Sequence, residues 1–213
     1  MTIWSLVPIK SFKRPKSRLN DILSLDERRS LVRKMLSDVI KVQQNTKAFT
    51  EHLIVTEDEE VIRFAKKLGC KSLLQKKPGL NQGVKEGVSY SMSNGAKSIF
   101  IMHGDIPGVD QASIFSIINA HNELLINNVA AVTLLPDTIG AGTNCMICTP
   151  PNAIKFRYGI DSCSYHLEEA GQVKVKIKIH KANKLSADID VRQDLDDFLT
   201  ERKYLNLEGY LNS

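Results

Sequence analysis

Apolar strand-like runs alternate with amphipathic helix-like segments along this whole chain, and that alternation restricts the fold more than any other feature. Residues 3–8, 52–56, 70–74, 98–102, 129–135, 145–149 and 173–179 are short apolar runs, most of them rich in β-branched residues, and they predict strands. Between them, 24–42, 57–68, 82–93, 111–126, 162–170 and, last, 195–202 predict helices. In the first of these Leu31, Met35, Leu36, Val39 and Ile40 recur at helical spacing, behind a capping box of Ser24 and Glu27. Gly69 and Asn94-Gly95 supply the stops. Strands alternating with helices predict an α/β fold, a mostly parallel sheet flanked by helices. No linker or repeat interrupts the 213 residues, so 1–213 is expected to be one domain. Residues 204–213 have no strong period and are expected to pack on a partner or to fray.

No apolar run reaches the length of a membrane span. The chain opens on a strand-like MTIWSLVPI rather than a secretory signal, so a cytoplasmic location is expected. Cys145 and Cys148 have CxxC spacing, but Met146 and Ile147 between them suggest a buried strand. No second pair or nearby histidines complete a zinc site, so the cysteines are read as structural. The net charge of +5 points to an anionic partner. With no basic helix, zinc finger or aromatic RNA-binding motif, a small phosphorylated substrate accounts for it better than nucleic acid.

The first strand runs straight into a loop carrying Lys10, Lys13, Arg14, Lys16 and Arg18. In α/β sheets, loops at the carboxyl ends of strands are where ligands bind. Five cations there suggest a polyanion, a nucleoside triphosphate above all, against the alternative of a solvated basic loop. Lys13, Arg14 and Lys16 receive no individual role and are read as a solvated edge.

Two acidic segments complement the loop. His103-Gly104-Asp105-Ile106-Pro107 follows the apolar run 98–102, which puts Asp105 where a carboxylate could hold a divalent ion over a triphosphate; a helix-capping turn residue is the alternative. His103 is read as structural or as supporting a neighbour. Asp188-Ile189-Asp190 places two carboxylates on one side of an extended segment, where they repel unless a cation lies between them. The alternative is a turn before the last helix, with Asp194 as its cap.

Gly140-Ala141-Gly142-Thr143-Asn144 is a small-residue loop that lets the backbone approach a ligand, with Thr143 and Asn144 adding polar contacts. Phe156-Arg157-Tyr158-Gly159-Ile160-Asp161-Ser162 opens a helix whose N-terminus favours an anion, with Ser162 as either ligand contact or N-cap. No P-loop, GxGxxG, HExxH or Ser-His-Asp spacing is present, so hydrolase and dinucleotide-oxidoreductase readings lack support.

VPIKSFKRPKSRL, PGLNQGV, GDIP, PDTIGAGTNCMICTPP, FRYGIDSCSYHLEEA and DIDVRQDLDDF, in that order, resemble the 2-phospho-L-lactate guanylyltransferase family of coenzyme F-420 biosynthesis over nearly the whole chain. The resemblance implies a single GT-A-like nucleotidyltransferase domain. It would transfer GMP from GTP to 2-phospho-L-lactate, phosphoenolpyruvate or 3-phospho-D-glycerate and release pyrophosphate. It further implies Mg²⁺ on Asp105, Asp188 and Asp190, and the triphosphate on Lys10 and Arg18. Leu80 and Asn81 would lie near the guanine, and Thr143, Gly159 and Ser162 would hold the phospho acid. GTP and the acid would be its partners, with no nucleic acid or membrane; a homodimer is compatible with it. The chain departs from the family in having His103-Gly104 before Asp105-Ile106-Pro107 and Gly140-Ala141-Gly142-Thr143 where Gly-Thr-Gly-Thr is common, which bears on acceptor choice. Two other readings stay open. One is a nucleotidyltransferase for a sugar phosphate or the molybdenum cofactor, which would usually carry a Gly-rich loop before the basic residue. The other is a non-catalytic nucleotide or nucleic-acid binder.

Overall fold

The fold is described from a computed structural model covering residues 2–204 and 206–213. Seven strands form one sheet in the order β3-β2-β1-β4-β6-β5-β7: β1 (Ile3–Ile9), β2 (Glu51–Thr56), β3 (Lys71–Leu74), β4 (Ser98–Met102), β5 (Ala131–Pro136), β6 (Thr143–Thr149) and β7 (Lys176–Ile179). Only β6 runs antiparallel, between β4 and β5. The helices are α1 (Leu25–Thr46), α2 (Glu59–Lys67), α3 (Leu80–Ser93), α4 (Gln111–Leu125), α5 (Ser162–Gln172), α6 (Asn183–Ser186), α7 (Arg192–Glu201) and α8 (Leu207–Leu211).

The sheet is buried on both faces, which is why its strands read as continuous apolar runs. Along β1, Ile3 and Val7 join the core shared with α1, while Trp4 and Leu6 join the core shared with α3. The same period of two sends Cys145 to one face of β6 and Cys148 to the other. The CxxC pair therefore cannot share an ion, and all four cysteines are free and buried. No helix among the described residues is long and apolar enough to cross a membrane.

Helix α1 begins with the expected capping box, Ser24 Oγ accepting from Glu27 N while Glu27 accepts from Ser24 N. Three expectations need correction. The helix at 195–202 is not the last: α8 follows it and buries Tyr210, whose hydroxyl donates to Asp38 on α1 at 2.9 Å, so the end of the chain is docked on its own fold. Asp194 caps from inside α7, accepting from the backbone N–H groups of Asp190 and Val191 at 2.8 Å each. Ser162 is the first residue of α5 and not its N-cap; that position belongs to Asp161, at a left-handed φ of 56°. Helix α6 was not anticipated; it is a single short turn with no apolar period to reveal it.

Strand order reverses between β1 and β4, because the chain goes from β1 outward to β3 and then returns to the other side of β1. The carboxyl ends of β1 and β4 flank that switch point, where open α/β sheets bind ligands. The basic loop leaves β1 there and the Asp105 loop leaves β4.

Candidate active site

Asp58 fixes the start of the basic loop. Its Oδ2 accepts from Ser11 Oγ at 2.6 Å and Phe12 N at 3.0 Å, while Oδ1 accepts from Glu60 N at 2.9 Å and caps α2. Phe12 and Leu19 are fully buried and anchor the loop at both ends. Between them Lys16 adopts a left-handed backbone, φ 47° and ψ 54°.

Opposite this loop, the chain leaving β4 passes through Gly104, whose missing Cβ leaves room for Ile9, Val7 and Leu36. That close approach delivers Asp105 to the switch point. Asp105 is not a helix cap, since Asp110 caps α4 through Ser113 N. Asp188 and Asp190 flank the buried Ile189, so the expected alternation holds. Their segment is tied down by Asn144, whose Nδ2 donates to Ser186 O at 2.7 Å, and by Thr138, whose Oγ1 donates to the same oxygen at 3.0 Å. Asn144 of the small-residue loop and Thr138 just before that loop thus position the aspartates.

Carboxylate oxygens of Asp105, Asp188 and Asp190 lie within 4.8 Å of one another, the only such ligand group among the described residues. The Lys16 ammonium sits against them, 2.5 Å from Asp105 Oδ2 and 2.7 Å from Asp190 Oδ1, with its side chain only 8% exposed. Lys16 therefore corrects the reading of a solvated edge. Lys10, Lys13 and Arg14 are exposed, and Lys10 and Arg18 face the same cavity of about 700 Å³ that holds Asp105, Asp190 and Leu80. Arg18 reaches to 3.7 Å from Asp190 Oδ2.

Charge and burial compete within this cluster. Burial opposes the charge on Lys16, but the two carboxylates outweigh it and raise the ammonium's pKa. Burial also opposes ionisation of Asp105, and the Lys16 charge, helped by His103, outweighs it, so this carboxyl stays below the usual range. Asp188 has too little compensation: burial first, then Asp105 and Asp190, push it up to about 6. Burial lowers the pKa of His103, whose Nε2 has no partner; Asp105 Oδ1 is likewise buried and unpartnered.

A second polar cluster adjoins the first. His103, Tyr158 and His166 are in contact in that order, the first pair tilted and the second edge to face, with ring centroids 5.6 and 5.1 Å apart. His166 Nε2 accepts from Arg157 N at 3.0 Å, so the proton of the neutral ring is on Nδ1 and is donated to Thr143 Oγ1 at 3.1 Å. Ser162 Oγ also donates to Thr143 Oγ1, at 3.3 Å. With both lone pairs engaged, the Thr143 hydroxyl keeps its own proton for a further acceptor. Burial lowers His166 to about 4, which keeps this arrangement neutral. Gly159 has φ +133°, a conformation that favours glycine, and Ser162 N donates to its carbonyl at 3.2 Å.

In two of the loops the polar groups are hydrogen-bonded within the fold. The Asn81 amide is spent on Tyr158, donating to its carbonyl at 2.9 Å and accepting from its N–H at 2.6 Å, so Asn81 shapes the loop before α5. Leu80 beside it is 40% exposed at the cavity. In the small-residue loop, the N–H groups of Ala141 and Gly142 go to Asp137 at 2.9 and 2.8 Å, leaving side chains as its contribution to any ligand. Sequence reasoning gave Lys16 no individual role and missed Asp58 and His166, whose parts are set by tertiary contacts that no local signal reveals.

With this geometry in view, likeness to known proteins becomes informative. The chain is similar to the phosphoenolpyruvate guanylyltransferase of Sphaerobacter thermophilus, 30% identical with 92% of each chain covered. It is 31% identical to the 3-phospho-D-glycerate guanylyltransferase of Colwellia psychrerythraea, over 90% of this chain and 88% of the relative. It is 29% identical to the 2-phospho-L-lactate guanylyltransferase of Methanocaldococcus vulcanius, over 98% and 89%. A solved nucleotidyl transferase from Methanothermobacter shares the fold, with a TM-score of 0.65 at 14% identity over 96% of this chain and 99% of the other. The family described as "Guanylyl transferase CofC like" matches residues 3–213, and this chain, a nucleotidyltransferase with an α/β fold, belongs to that guanylyltransferase family.

Proposed function

We propose that the protein transfers GMP from GTP to a three-carbon phospho acid with release of pyrophosphate, as a step of coenzyme F-420 biosynthesis, in the cytoplasm and with Mg²⁺. The acceptor belongs to the set named for its relatives: phosphoenolpyruvate, 2-phospho-L-lactate or 3-phospho-D-glycerate. The observation that carries this reading is the cluster of Asp105, Asp188 and Asp190, two of which, Asp105 and Asp190, line one cavity of nucleotide size together with Lys10, Lys16 and Arg18.

The residues suit the metal. Three carboxylates are hard oxygen donors, and Asp105 Oδ1 is a buried, unpartnered oxygen whose charge calls for a cation. Asp105, Asp188 and Asp190 would hold Mg²⁺, which when bound supplies charge neutralisation at the α-phosphate. Lys10 and Arg18 would bind the β- and γ-phosphates and stabilise the departing pyrophosphate. Thr143, Gly159 and Ser162 would hold the phospho acid, with the free Thr143 proton donated to one of its anionic groups.

An oxygen of the acceptor phosphate attacks the α-phosphorus in line, a new P–O–P bond forms, and the bond to the β-phosphate oxygen breaks. The acceptor phosphate is already largely ionised at neutral pH, so no general base is needed. Catalysis reduces to positioning and charge neutralisation. GTP and the phospho acid are the partners in this reading, and association into a homodimer is checked by sedimentation.

The test crosses four nucleoside triphosphates with the three phospho acids and follows pyrophosphate release. Release with GTP and one or more of the acids is expected. Absence of release from every GTP pairing would overturn the acceptor assignment.

A further inference from the structure

Lys16 occupies the place where the aspartates need positive charge. Its ammonium contacts Asp105 and Asp190 at 2.5 and 2.7 Å, and its side chain is nearly buried. One ammonium does not complete the centre: it brings a single charge to three carboxylates, and Asp105 Oδ1 stays buried without a partner. An all-protein resting site would be expected to satisfy that oxygen.

The backbone around Lys16 is fixed on both sides. Buried Pro15 precedes it, and the turn Ser17–Leu19 follows, closed by Leu19 N donating to Lys16 O at 3.0 Å and plugged by the Leu19 side chain. The left-handed conformation of Lys16, uncommon for a residue with a Cβ, aims its stem at the carboxylates. Lys16, Asp105 and Asp190 line the same cavity as Lys10 and Arg18, so rotation about that flexible stem would turn the ammonium from the carboxylates toward Lys10 and Arg18.

We propose that Lys16 is a resident stand-in for the metal, its ammonium occupying the carboxylate centre in the free protein and being released into the cavity when a divalent ion binds. This rests on the metal reading of the site given above. Release breaks two ion pairs, so Lys16 competes with the ion and weakens metal binding in the absence of nucleotide. The freed ammonium faces the cavity in which the triphosphate is proposed to bind, so metal and nucleotide uptake are coupled through one side chain. The free protein is thereby guarded against filling its metal site before its donor site.

Reductive methylation of lysines, read by peptide mass spectrometry, follows this exchange directly. In the free protein Lys16 is expected to react at least about tenfold more slowly than exposed Lys13. With Mn²⁺ bound and no nucleotide, counted by electron paramagnetic resonance, Lys16 should become reactive, although added ligands ordinarily protect. In parallel, Lys16→Met should bind Mn²⁺ about tenfold more tightly than wild type without nucleotide. Lys16 already reactive in the free protein, Lys16 still protected with manganese bound, or Lys16→Met with unchanged affinity would each overturn the proposal. If neither wild type nor Lys16→Met binds manganese, with or without a non-hydrolysable GTP analogue, the metal reading fails and takes the stand-in with it.

Discussion

Replacing Asp58 tests how the basic loop is held, and its cost can be worked out from three hydrogen bonds. Asp58 is 5% exposed and lies behind the cavity. In Asp58→Ala, the cap on Glu60 N is lost, worth about 1 kcal/mol. Ser11 Oγ and Phe12 N lose a charged acceptor, and leaving the buried Phe12 N–H unpaired adds roughly 1–3 kcal/mol. The sum is about 3 kcal/mol, a fall in Tm of roughly 6–12 °C for a chain of this size. Asp58→Asn keeps a competent cap but has one acceptor oxygen, so its amide hydrogens would face the Phe12 N–H; about 1–2 kcal/mol is expected. Both variants loosen Lys10 to Arg18, so kcat/KM for GTP should drop roughly 10- to 100-fold for Asp58→Ala, assayed well below its Tm, and less for Asp58→Asn. Denaturant unfolding and initial-rate kinetics on the three proteins make the comparison. An Asp58→Ala protein with a wild-type unfolding midpoint, or with unchanged GTP kinetics, would refute the claim that this carboxylate holds the loop.

Three further outcomes follow from contacts elsewhere in the fold, one of them at His121, buried on α4 with its ring nitrogens on the Thr133 and Thr149 hydroxyls at 3.0 and 2.8 Å. His121 and His166 are each lowered to about 4 by burial from the ordinary 6.5, so the unfolded chain takes up protons that the folded one refuses. Stability is therefore fully present above pH 6.5 and lost as pH falls towards 4, on the order of 3 kcal/mol per ring, and a denaturant midpoint flat across that window would contradict it. Asn81→Ala should raise KM for the phospho acid by roughly tenfold while leaving KM for GTP near wild type, because it releases Tyr158 rather than a base contact; the opposite pattern would return Asn81 to the guanine. Tyr210→Phe removes the hydroxyl bond to Asp38 and should cost about 1 kcal/mol of unfolding free energy, whereas a tail that frays would show no change.

Much of the architecture was legible because local signals and burial agree. The strands of the switch point, β1 and β4, are buried on both faces, so their apolar runs carry their own boundaries, and the Ser24–Glu27 box marks the start of α1 to the residue. Cys145 and Cys148 could be set aside because Met146 and Ile147 suggest a buried strand and no other ligands complete a zinc site; the structure adds that the two thiols lie on opposite faces of the sheet. Asp105, Asp188 and Asp190 were recognisable as candidates from a carboxylate after a buried strand and a repelling pair on alternate extended positions, although turn and capping roles stayed open for each; their meeting as one group was implied by the family resemblance and is seen only in the structure. What stayed hidden depends on side-chain direction. Nothing in Arg14-Pro15-Lys16 says that Lys16 turns inward while Lys13 stays in solvent; that follows from a left-handed backbone and the Leu19 plug, both tertiary in origin. Asn144 stands in a small-residue loop and Asn81 matches a family segment near the guanine, yet each amide is committed to a backbone carbonyl distant in sequence, that of Ser186 and of Tyr158. Helix α8 is five residues long, too short to show a period, and only its packing on α1 reveals it.

The most direct test of the account is Mg²⁺-dependent pyrophosphate release from GTP, with the three phospho acids supplied together, in wild type, Asp105→Asn and Asp190→Asn. Wild-type release should stop with a chelator and return with Mg²⁺, and each variant, shown to be folded, should lose about 10²- to 10³-fold or more. Near wild-type turnover in both variants, or release undiminished by the chelator, would contradict a carboxylate-held metal at the end of β4 as the centre of guanylyl transfer.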